Sequence, residues 1–289
     1  MTWVNAVVQG MLLGGSYALF ATGLSLMFGV MRLVNLAHGD LAVLAAFGSV
    51  ALVDQFHLDP WWTLVIVVPA MAVLGYLLHR FLLSATVGRT QLASLLVTFG
   101  LSIVISNALL QVFSADSQAL QAGGIRTASV HVVAGLAVGW FDVLTFAIAV
   151  AVLLGLQMFL ARSTLGRLMR ASSDDQQAAT LMGVDNRHVY ALATAIALAT
   201  VAVAGILAGM RTTFAPSSGP FLLIFAFEAV IIGGVGSLWG TLVGGIILGV
   251  AQAVGARIDP SGGVLAGHLV FLAVLALRPQ GLIRARLAV

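Results

Sequence analysis

The sequence predicts an all-α fold, a polytopic membrane bundle of eight or nine transmembrane segments, some of them short or broken. Hydrophobic residues make up 61% of the 289 residues and charged residues only 8%, whereas a soluble domain carries about 25% charged residues. The apolar residues are gathered into long runs, and these runs lack the alternating pattern of a transmembrane β-barrel. We therefore expect residues 1–289 to form a single transmembrane domain.

Each predicted span corresponds to one apolar run, and a span needs about 20 such residues. The first run is too long for the core of a signal peptide, which predicts a first span that is retained. Several later runs are shorter, as in helices that are buried in a bundle or broken near its middle. The predicted spans are residues 4–30, 38–53, 61–82, 90–113, 141–161, 188–210, 221–235, 238–256 and 264–277.

The arginine positions predict the orientation, because positively charged loops stay in the cytoplasm. Arginines lie in the 80–89 loop, in the 162–187 segment and in the tail that follows the last span. Nine spans fit these three anchors with the N-terminus outside and the C-terminus inside. The 114–140 segment is then an external loop, and the 163–188 segment is cytoplasmic.

The sequence lacks the residues that common catalytic and metal sites need. It contains no Lys and so cannot form the GxxxxGK[ST] loop with which many ATPases hold phosphates. It contains no Cys, and its six His never stand four residues apart, which argues against a metal site. The Gly-x-Ser-x-Gly elbow of hydrolases is also missing, and the arginines form no cluster typical of nucleic-acid binding. We therefore expect no catalytic residue, metal or cofactor in this chain, and no nucleic acid partner.

The cytoplasmic segment Ser163–His188 predicts one short helix over residues 174–182. Ser173 and Gln176 have the spacing of a capping box, and Gly183 is a stop signal after the last turn. The alanines of this helix allow close approach, and the arginines ahead of it can pair with carboxylates of a partner. The helix therefore either lies on the protein's own cytoplasmic face or inserts into a cytoplasmic partner.

Several stretches resemble known transport proteins. The stretch "GRLMRASSDDQQAATLMGV" is similar to the coupling segment of ABC-importer permeases. More specifically, "GLSLMFGVMRLVNLAHGD" resembles the N-terminal motif of the branched-chain amino acid ABC transporter permeases. It is the motif of the first of the two membrane subunits of these high-affinity importers. "EAVIIGGVGSLWGTLVGGIILGVAQA" and the terminal "LRPQGL" match the closing pattern of the same family.

The resemblance implies a permease subunit of an ATP-driven importer in the bacterial inner membrane, which provides the translocation path for a small polar substrate. It implies as partners a second related permease subunit, two cytoplasmic ATP-binding subunits that hydrolyse the ATP, and a periplasmic or extracellular substrate-binding protein. It also implies the residues that couple this chain to the ATPase. These are Gly166, Arg167, Arg170, Ala171, Asp174, Asp175, Ala178, Ala179 and Gly183.

The substrate stays open at this point. Members of the family serve branched-chain amino acids, other amino acids and small amides such as urea, and Glu228 stands where relatives carry various residues, Lys among them. An alternative class is a secondary transporter or channel that works alone on small amino acids or amides, with His38, Asp40 or Glu228 as proton sites. The cytoplasmic 163–188 helix favours the importer, because a self-sufficient carrier has less reason to contain it.

The polar residues of "MRLVNLAHGD" allow two interpretations. In the first they form a tight cytoplasmic turn, with Asn35 capping the second span and Arg32 at the lipid headgroups. In the second a broken helix exposes backbone and polar side chains to a water-filled path, where non-helical backbone is tolerated at membrane depth. On a helix His38 and Asp40 would diverge by about 160–200°, so one shared site requires an interruption at Gly39. The resemblance favours the path, with Asn35, His38 and Asp40 as candidate lining residues.

Hydroxyl groups on the fourth predicted span recur every four residues, at Ser94, Thr98, Ser102 and Ser106. Hydroxyls in membrane helices often bond to their own backbone or to a neighbouring helix, which favours packing over a role in the path. Ser94 and Thr98 are the path candidates of this row.

Glu228 is the only glutamate, and it lies inside the apolar run "FLLIFAFEAVIIGG". A carboxylate within a span costs several kcal/mol unless it is paired or hydrated. It either receives the ammonium group of an amino acid or forms a structural pair with an arginine such as Arg211. A third possibility is a short span that brings the carboxylate near an interface.

Overall fold

The computed structural model describes residues 3–86, 91–121, 129–133 and 136–283. In these ranges the chain forms eleven α-helices and a β-hairpin. The helices are α1 (Trp3–Met31), α2 (His38–Phe56), α3 (Pro60–Phe81), α4 (Gln91–Phe113), α5 (Trp140–Arg162), α6 (Thr164–Asp174), α7 (Gln176–Leu181), α8 (Asn186–Arg211), α9 (Gly219–Gly233), α10 (Leu238–Ile258) and α11 (Gly263–Leu277). The hairpin pairs β1 (Ser129–Val133) with β2 (Leu136–Gly139).

The predicted number of spans is confirmed. Within the described ranges, eight helical segments are long and apolar enough to cross a membrane, and α11 is a shorter apolar helix of 15 residues. Each of the nine overlaps one predicted apolar run. The remaining helices, α6 and α7, lie between α5 and α8 in the segment that is predicted to be cytoplasmic.

Helices α1 and α8 form the centre of the bundle. In the most apolar stretch of each helix, 67% of α1 and 72% of α8 is buried, compared with 17% of α4. Helices α3, α4 and α5 lie outside this centre and turn large apolar side chains outward, among them Val65, Val73, Leu96 and Val104. A wide apolar outer face is what a helix needs where it meets hydrocarbon.

Small residues bring α1 and α10 into backbone contact. A Cβ atom on Gly14 would lie 2.5 Å from the Cα of Ile246, and a Cβ on Gly245 would lie 2.6 Å from the carbonyl oxygen of Gly14. Gly10 and Gly249 make the same kind of contact one turn away. Glycines spaced four residues apart on each helix therefore let the two backbones approach closely.

The predicted external loop contains the β-hairpin, which the all-α prediction missed. Ser129 pairs with Gly139 and Val130 with Val138 in an antiparallel register. Before the hairpin, the chain crosses the end of α8, where Gln118 and Phe214 exchange backbone hydrogen bonds of 2.8 and 2.9 Å. The predicted external loop thus has local β-structure and lies against the chain that follows α8.

The chain end fastens the turn between α9 and α10. The backbone N–H groups of Leu282 and Ile283 donate to the carbonyl oxygens of Ile232 and Gly233, each at 3.0 Å. These are the last carbonyls of α9, which have no partner within the helix. Gly281, at φ 78°, packs against Gly234, at φ 110°. The terminal "LRPQGL" is therefore a cap for α9.

Candidate functional site

The chain between α1 and α2 leaves the helical path and turns back into the bundle. Arg32 is exposed at φ 52°, and the residues after it are not helical. His38, the first residue of α2, has its Nε2 atom 2.9 Å from the carbonyl oxygen of Phe20. Phe20 lies 11 residues before the end of α1, which is about 16 Å along a helix axis. Residues 32–37 therefore run back along α1, and α2 begins inside the bundle.

The three candidate residues of this segment are buried. Asn35, His38 and Asp40 are each 1% exposed. The chain leaves the helical path after Met31 and turns before His38, and protein covers the polar side chains of this connection. The cytoplasmic turn and the broken helix beside a path both stay predictions. The prediction that Asn35 caps the second span is wrong: its side-chain oxygen accepts from the Ala37 N–H at 3.0 Å, which closes a turn just ahead of α2, and α2 has no side-chain cap. Whether these residues line the path stays a prediction.

His38 and Asp40 face different neighbours, as their spacing predicts. Asp40 accepts a hydrogen bond from the Ser102 hydroxyl of α4, with 2.5 Å between the two oxygens. The first residue of α9 packs against the same carboxylate, because a Cβ atom on Gly219 would overlap it. A Cβ on Gly39 would in turn overlap the Gly219 carbonyl. The start of α2, the start of α9 and the middle of α4 therefore meet at Asp40.

Helix α9 also begins inside the bundle. Its 15 residues span about 22 Å, less than the roughly 30 Å of a hydrocarbon core. The residues that lead to it, 212–218, return from the end of α8 to the contact with Gly39. Two interrupted helices thus begin side by side, one reached from each end of the bundle. A cavity of 190 Å³ lies beside them, with Ala46, Gly209 and Leu222 in its lining.

The hydroxyl groups in the row on α4 bond in two ways, to the backbone of α4 itself and to neighbouring segments. Thr98 donates to the carbonyl of Ser94 on its own helix, at 2.9 Å, which is the packing that was favoured. Ser102 donates to Asp40, and the Ser106 hydroxyl lies 3.5 Å from the Pro216 carbonyl. The row therefore holds α4 against α2 and against the segment before α9. Ser94 and Thr98 are buried on that face, and their place in a path stays a prediction.

The partner of Glu228 is His268 and not an arginine. His268 of α11 has its Nδ1 atom 2.5 Å from Oε1 of Glu228. Arg211 is 3.0 Å from Asp142 instead, because it ends α8 close to the first turn of α5. The predicted Glu228–Arg211 pair is thus wrong. The carboxylate is 3% exposed, and its position relative to a membrane interface stays a prediction.

The predicted cytoplasmic segment Ser163–His188, called the docking segment from here on, consists of two helices where one was predicted. Helix α6 is capped by Ser163, whose hydroxyl accepts from the Gly166 N–H at 2.8 Å. Helix α7 is capped by Asp175, which accepts from the N–H groups of Gln177 and Ala178. The predicted helix start at Ser173 is wrong, because that hydroxyl bonds back to the Arg170 carbonyl within α6.

The end of the docking segment was predicted correctly. Gly183 has a φ of 85°, which glycine adopts without strain, and it directly follows the last turn. Leu181 and Met182, just before it, are 89% and 85% exposed. This apolar pair lies outside the predicted coupling set, although both residues stand in the predicted helix.

The predicted coupling residues do not all face outward. Those that are exposed are Arg167, Ala171, Asp174, Asp175, Ala178 and Gly183. Ala179 is 5% exposed, and a Cβ atom on Gly166 would overlap the backbone of Leu160. The Arg170 guanidinium donates a hydrogen bond to the Leu160 carbonyl, and this bond joins α6 to the end of α5. These three hold the segment in place within this chain.

A cavity connects the docking segment with the break between α1 and α2. It has a volume of 330 Å³ and is lined on one side by Met31 and Arg32. On the other side it is lined by Ser173, Asp174 and Gln176. The break between α1 and α2 and the 163–188 segment thus lie on opposite sides of one cavity.

Sequence reasoning missed three polar residues within spans. Tyr17 of α1 donates to the Gln252 side-chain oxygen of α10 at 2.5 Å, and His268 holds Glu228. Each stands in an otherwise apolar run, and an isolated polar residue in such a run is the signal that could have found it. In the part of the chain that the structure describes, no group of three or more His, Cys, Asp or Glu side chains is placed to hold a metal ion.

Comparison with known proteins identifies similar transport proteins. A family model described as "Branched-chain amino acid transport system / permease component" matches residues 6–276. The chain is 30% identical to the high-affinity branched-chain amino acid transport system permease protein BraD of Pseudomonas aeruginosa, over 97% of this chain and 95% of BraD. It is 28% identical to the corresponding permease protein LivH of Salmonella typhimurium, over 97% and 95%. It is 27% identical to the permease protein LivM of Escherichia coli K12, over 92% of this chain and 67% of LivM.

Proposed function

The chain belongs to the family of permease components of branched-chain amino acid transport systems, and on that premise we propose that it carries branched-chain or related amino acids across the membrane. It is a multi-pass permease subunit of an ABC importer in the bacterial inner membrane. The proposed substrate class is the one that the names of its relatives specify.

The proposed importer contains further subunits. A second related permease completes the membrane part, and the similarity of this chain to both LivH and LivM supports such a pair. Two cytoplasmic ATP-binding subunits hydrolyse the ATP, since this chain has no Lys for a Walker loop. A periplasmic or extracellular binding protein delivers the substrate. This chain then supplies no catalytic residue and binds no cofactor of its own.

The exposed apolar pair of the docking segment carries the proposal. Leu181 and Met182 are more than four-fifths exposed at the end of a short helix in the predicted cytoplasmic segment. Large apolar side chains that protrude into water mark a contact with another protein. An importer whose ATPase is a separate subunit requires such a contact.

The proposed path borders the contact between Gly39 and Gly219. Interrupted helices occur at the substrate sites of several transporter folds, where the break faces a cavity. The adjacent 190 Å³ cavity is lined mainly by apolar side chains, with three hydroxyl groups at one end of α8 and before α9, and this lining suits the passage of an aliphatic side chain. Asn35, His38 and Asp40 are proposed to line the path once α2 and α9 separate, with Ser94 and Thr98 on the facing helix.

The proposal is tested by uptake of tritiated L-leucine into proteoliposomes. The vesicles contain this chain with the partner permease, the ATP-binding subunits and the binding protein, or this chain alone. ATP-dependent uptake by the full set only is the expected result. The double variant Leu181→Asp/Met182→Asp should reduce uptake at least tenfold and release the ATP-binding subunits on size-exclusion chromatography.

Leu181→Met/Met182→Leu is the matched control, because it keeps two large apolar side chains at the same exposed positions. It should leave uptake within twofold of wild type. Uptake by the lone chain, driven by a proton gradient, would contradict the importer and favour a secondary transporter.

A further inference from the structure

Four helices contribute side chains to a cluster around Phe225 of α9. The ring of Tyr17 from α1 lies 5.1 Å from the Phe225 ring, and the ring of His268 from α11 lies 6.2 Å away on a nearly parallel plane. Each outer ring holds a polar partner, since Tyr17 donates to Gln252 and His268 bonds Glu228, both at 2.5 Å. A carboxylate, an amide and three aromatic rings are thus brought together.

Two polar atoms of this cluster have no partner. Among the residues that the structure describes, Oε2 of Glu228 and Nε2 of Gln252 are buried without a hydrogen bond. Their side chains are 3% and 6% exposed. An unpaired buried polar group costs about 1–3 kcal/mol, and more when it is charged. One of the two atoms lacks a donor and the other lacks an acceptor, so a ligand that carries a cation and an anion would satisfy both.

The cluster is accessible through its histidine. The His268 side chain is 37% exposed and lies in the first half of α11, whose Gly267 packs against Gln252. An imidazole at membrane depth is tolerated where it faces protein or water, not lipid tails. The imidazole therefore stands between the outer face of α11 and the buried Glu228 carboxylate, and a ligand that displaces it would reach the cluster.

We propose that the cluster binds the zwitterionic head group of an amino acid. The free oxygen of Glu228 accepts from the ammonium group, which also lies against the faces of Tyr17 and Phe225, where a cation is attracted by the aromatic quadrupole. The Gln252 amide donates to the carboxylate. His268 is a positioning residue, because its Nδ1 holds one oxygen of Glu228 and leaves the other for the ligand. The assignment rests on the proposed function and names the residues that recognise its substrate.

Direct binding tests the site without the binding protein. The assembly of this chain, its partner permease and the ATP-binding subunits is placed in nanodiscs, and binding of tritiated L-leucine is measured by scintillation proximity. Competition uses 3-methylbutylamine, which lacks the carboxylate, and 4-methylpentanoate, which lacks the ammonium group. The wild type should bind leucine at least tenfold more tightly than either competitor.

The variants separate the two halves of the head group. Glu228→Gln should weaken leucine binding at least tenfold. Gln252→Met should weaken it about fivefold and leave the affinity for 3-methylbutylamine unchanged, because only the carboxylate contact is removed. His268→Asn keeps a donor near the Nδ1 position and should bind more tightly than His268→Leu. Gln157→Met is the matched control, since Gln157 is partly buried on α5 outside the cluster, and it should bind like wild type.

Several results would overturn the site. One is an assembled Gln252→Met variant with unchanged leucine binding, which decides the matter even if Glu228→Gln fails to assemble. Another is a wild-type assembly that transports leucine when the binding protein is added but binds none in the nanodisc. In both cases the proposed function stands. It fails separately if the complete wild-type system transports no amino acid.

Discussion

Two carboxylates in the described spans are buried, Asp40 and Glu228, and they are held in different ways. Asp40 lies where two helices begin, and its neighbours are a hydroxyl of α4 and the backbone of Gly219. Glu228 lies in the middle of α9, and its partner is the half-exposed imidazole of His268. Backbone contacts leave no room around the first carboxylate, whereas a side chain that can rotate borders the second.

The difference separates a structural junction from a binding site. A side chain that is enclosed by glycine contacts can become accessible only if the helices move apart. The accessibility of Asp40 therefore depends on the conformation of the bundle. A carboxylate whose partner is a partly exposed side chain can exchange that partner for a ligand. We therefore expect changes around Asp40 to affect stability and uptake together, and changes around Glu228 to affect binding first.

The largest effect is expected for Gly219→Ala. The added methyl group would overlap the Asp40 carboxylate, and overpacking of this kind costs about 1–3 kcal/mol or more. Here it would separate α2 from α9. Thermal unfolding in detergent and the yield of assembled complex measure the loss of stability.

Gly100→Ala is the control, because a Cβ on Gly100 meets nothing within 4 Å, and alanine favours a helix over glycine by about 1 kcal/mol. Equal melting temperatures for the two variants would contradict the backbone contact.

Asp40→Asn should have the next largest effect. The amide has nearly the same shape, but it replaces the charged acceptor of the Ser102 hydrogen bond, and charged hydrogen bonds contribute about 1.5–3 kcal/mol. We expect a lower melting temperature and uptake per assembled complex reduced about tenfold. Wild-type uptake by a normally assembled variant would exclude Asp40 from the path.

Ser102→Ala should cost less, about 1 kcal/mol, because the hydroxyl is only partly buried and the carboxylate keeps its other neighbours. A double-mutant cycle with Asp40→Asn, measured as free energies of unfolding, isolates the interaction between the two side chains. A coupling energy near zero would show that the short contact contributes nothing. Ser106→Ala serves as the comparison, since its hydroxyl is 3.5 Å from its acceptor.

Arg211→Lys should have the smallest effect. The ion pair with Asp142 leaves about 30% of each side chain exposed, and exposed pairs contribute about 0–1 kcal/mol. The melting temperature should change by no more than about 4 °C, on the scale of about 2–4 °C per kcal/mol for chains of 150–250 residues. A larger loss would show that the arginine has a further role at the end of α8.

The sequence predicts the helices well, because apolar runs of the required length leave the chain few alternatives in a membrane. It predicts helix ends less well where two caps compete. Ser173 and Asp175 can both act as an N-cap. Which of them does so depends on whether Ser163 caps an earlier helix, as it does here, and tertiary packing decides that. The β-hairpin was missed because its strands are short and lie next to much stronger helical signals.

The candidate site could be predicted only in part. The break after Arg32 is local, and the unusual density of polar residues indicates it. The partners of Asp40 and Glu228 come from α4 and α11, which are 62 and 40 residues away in sequence. A single sequence contains no information about such pairs, so the choice of Arg211 over His268 followed charge alone.

The hydrogen bonds from the chain end to α9 have a consequence for biosynthesis. The carbonyls of Ile232 and Gly233 acquire their partners only when Leu282 and Ile283 have been synthesised, some 50 residues later at about 5–20 residues per second. Until then the end of α9 stays unsealed, although the helix itself has already been made. The end of the helix that carries Glu228 is therefore fixed only after α10 and α11 have been made, and a chain that stops before Leu282 would enter the membrane with the last carbonyls of α9 uncapped.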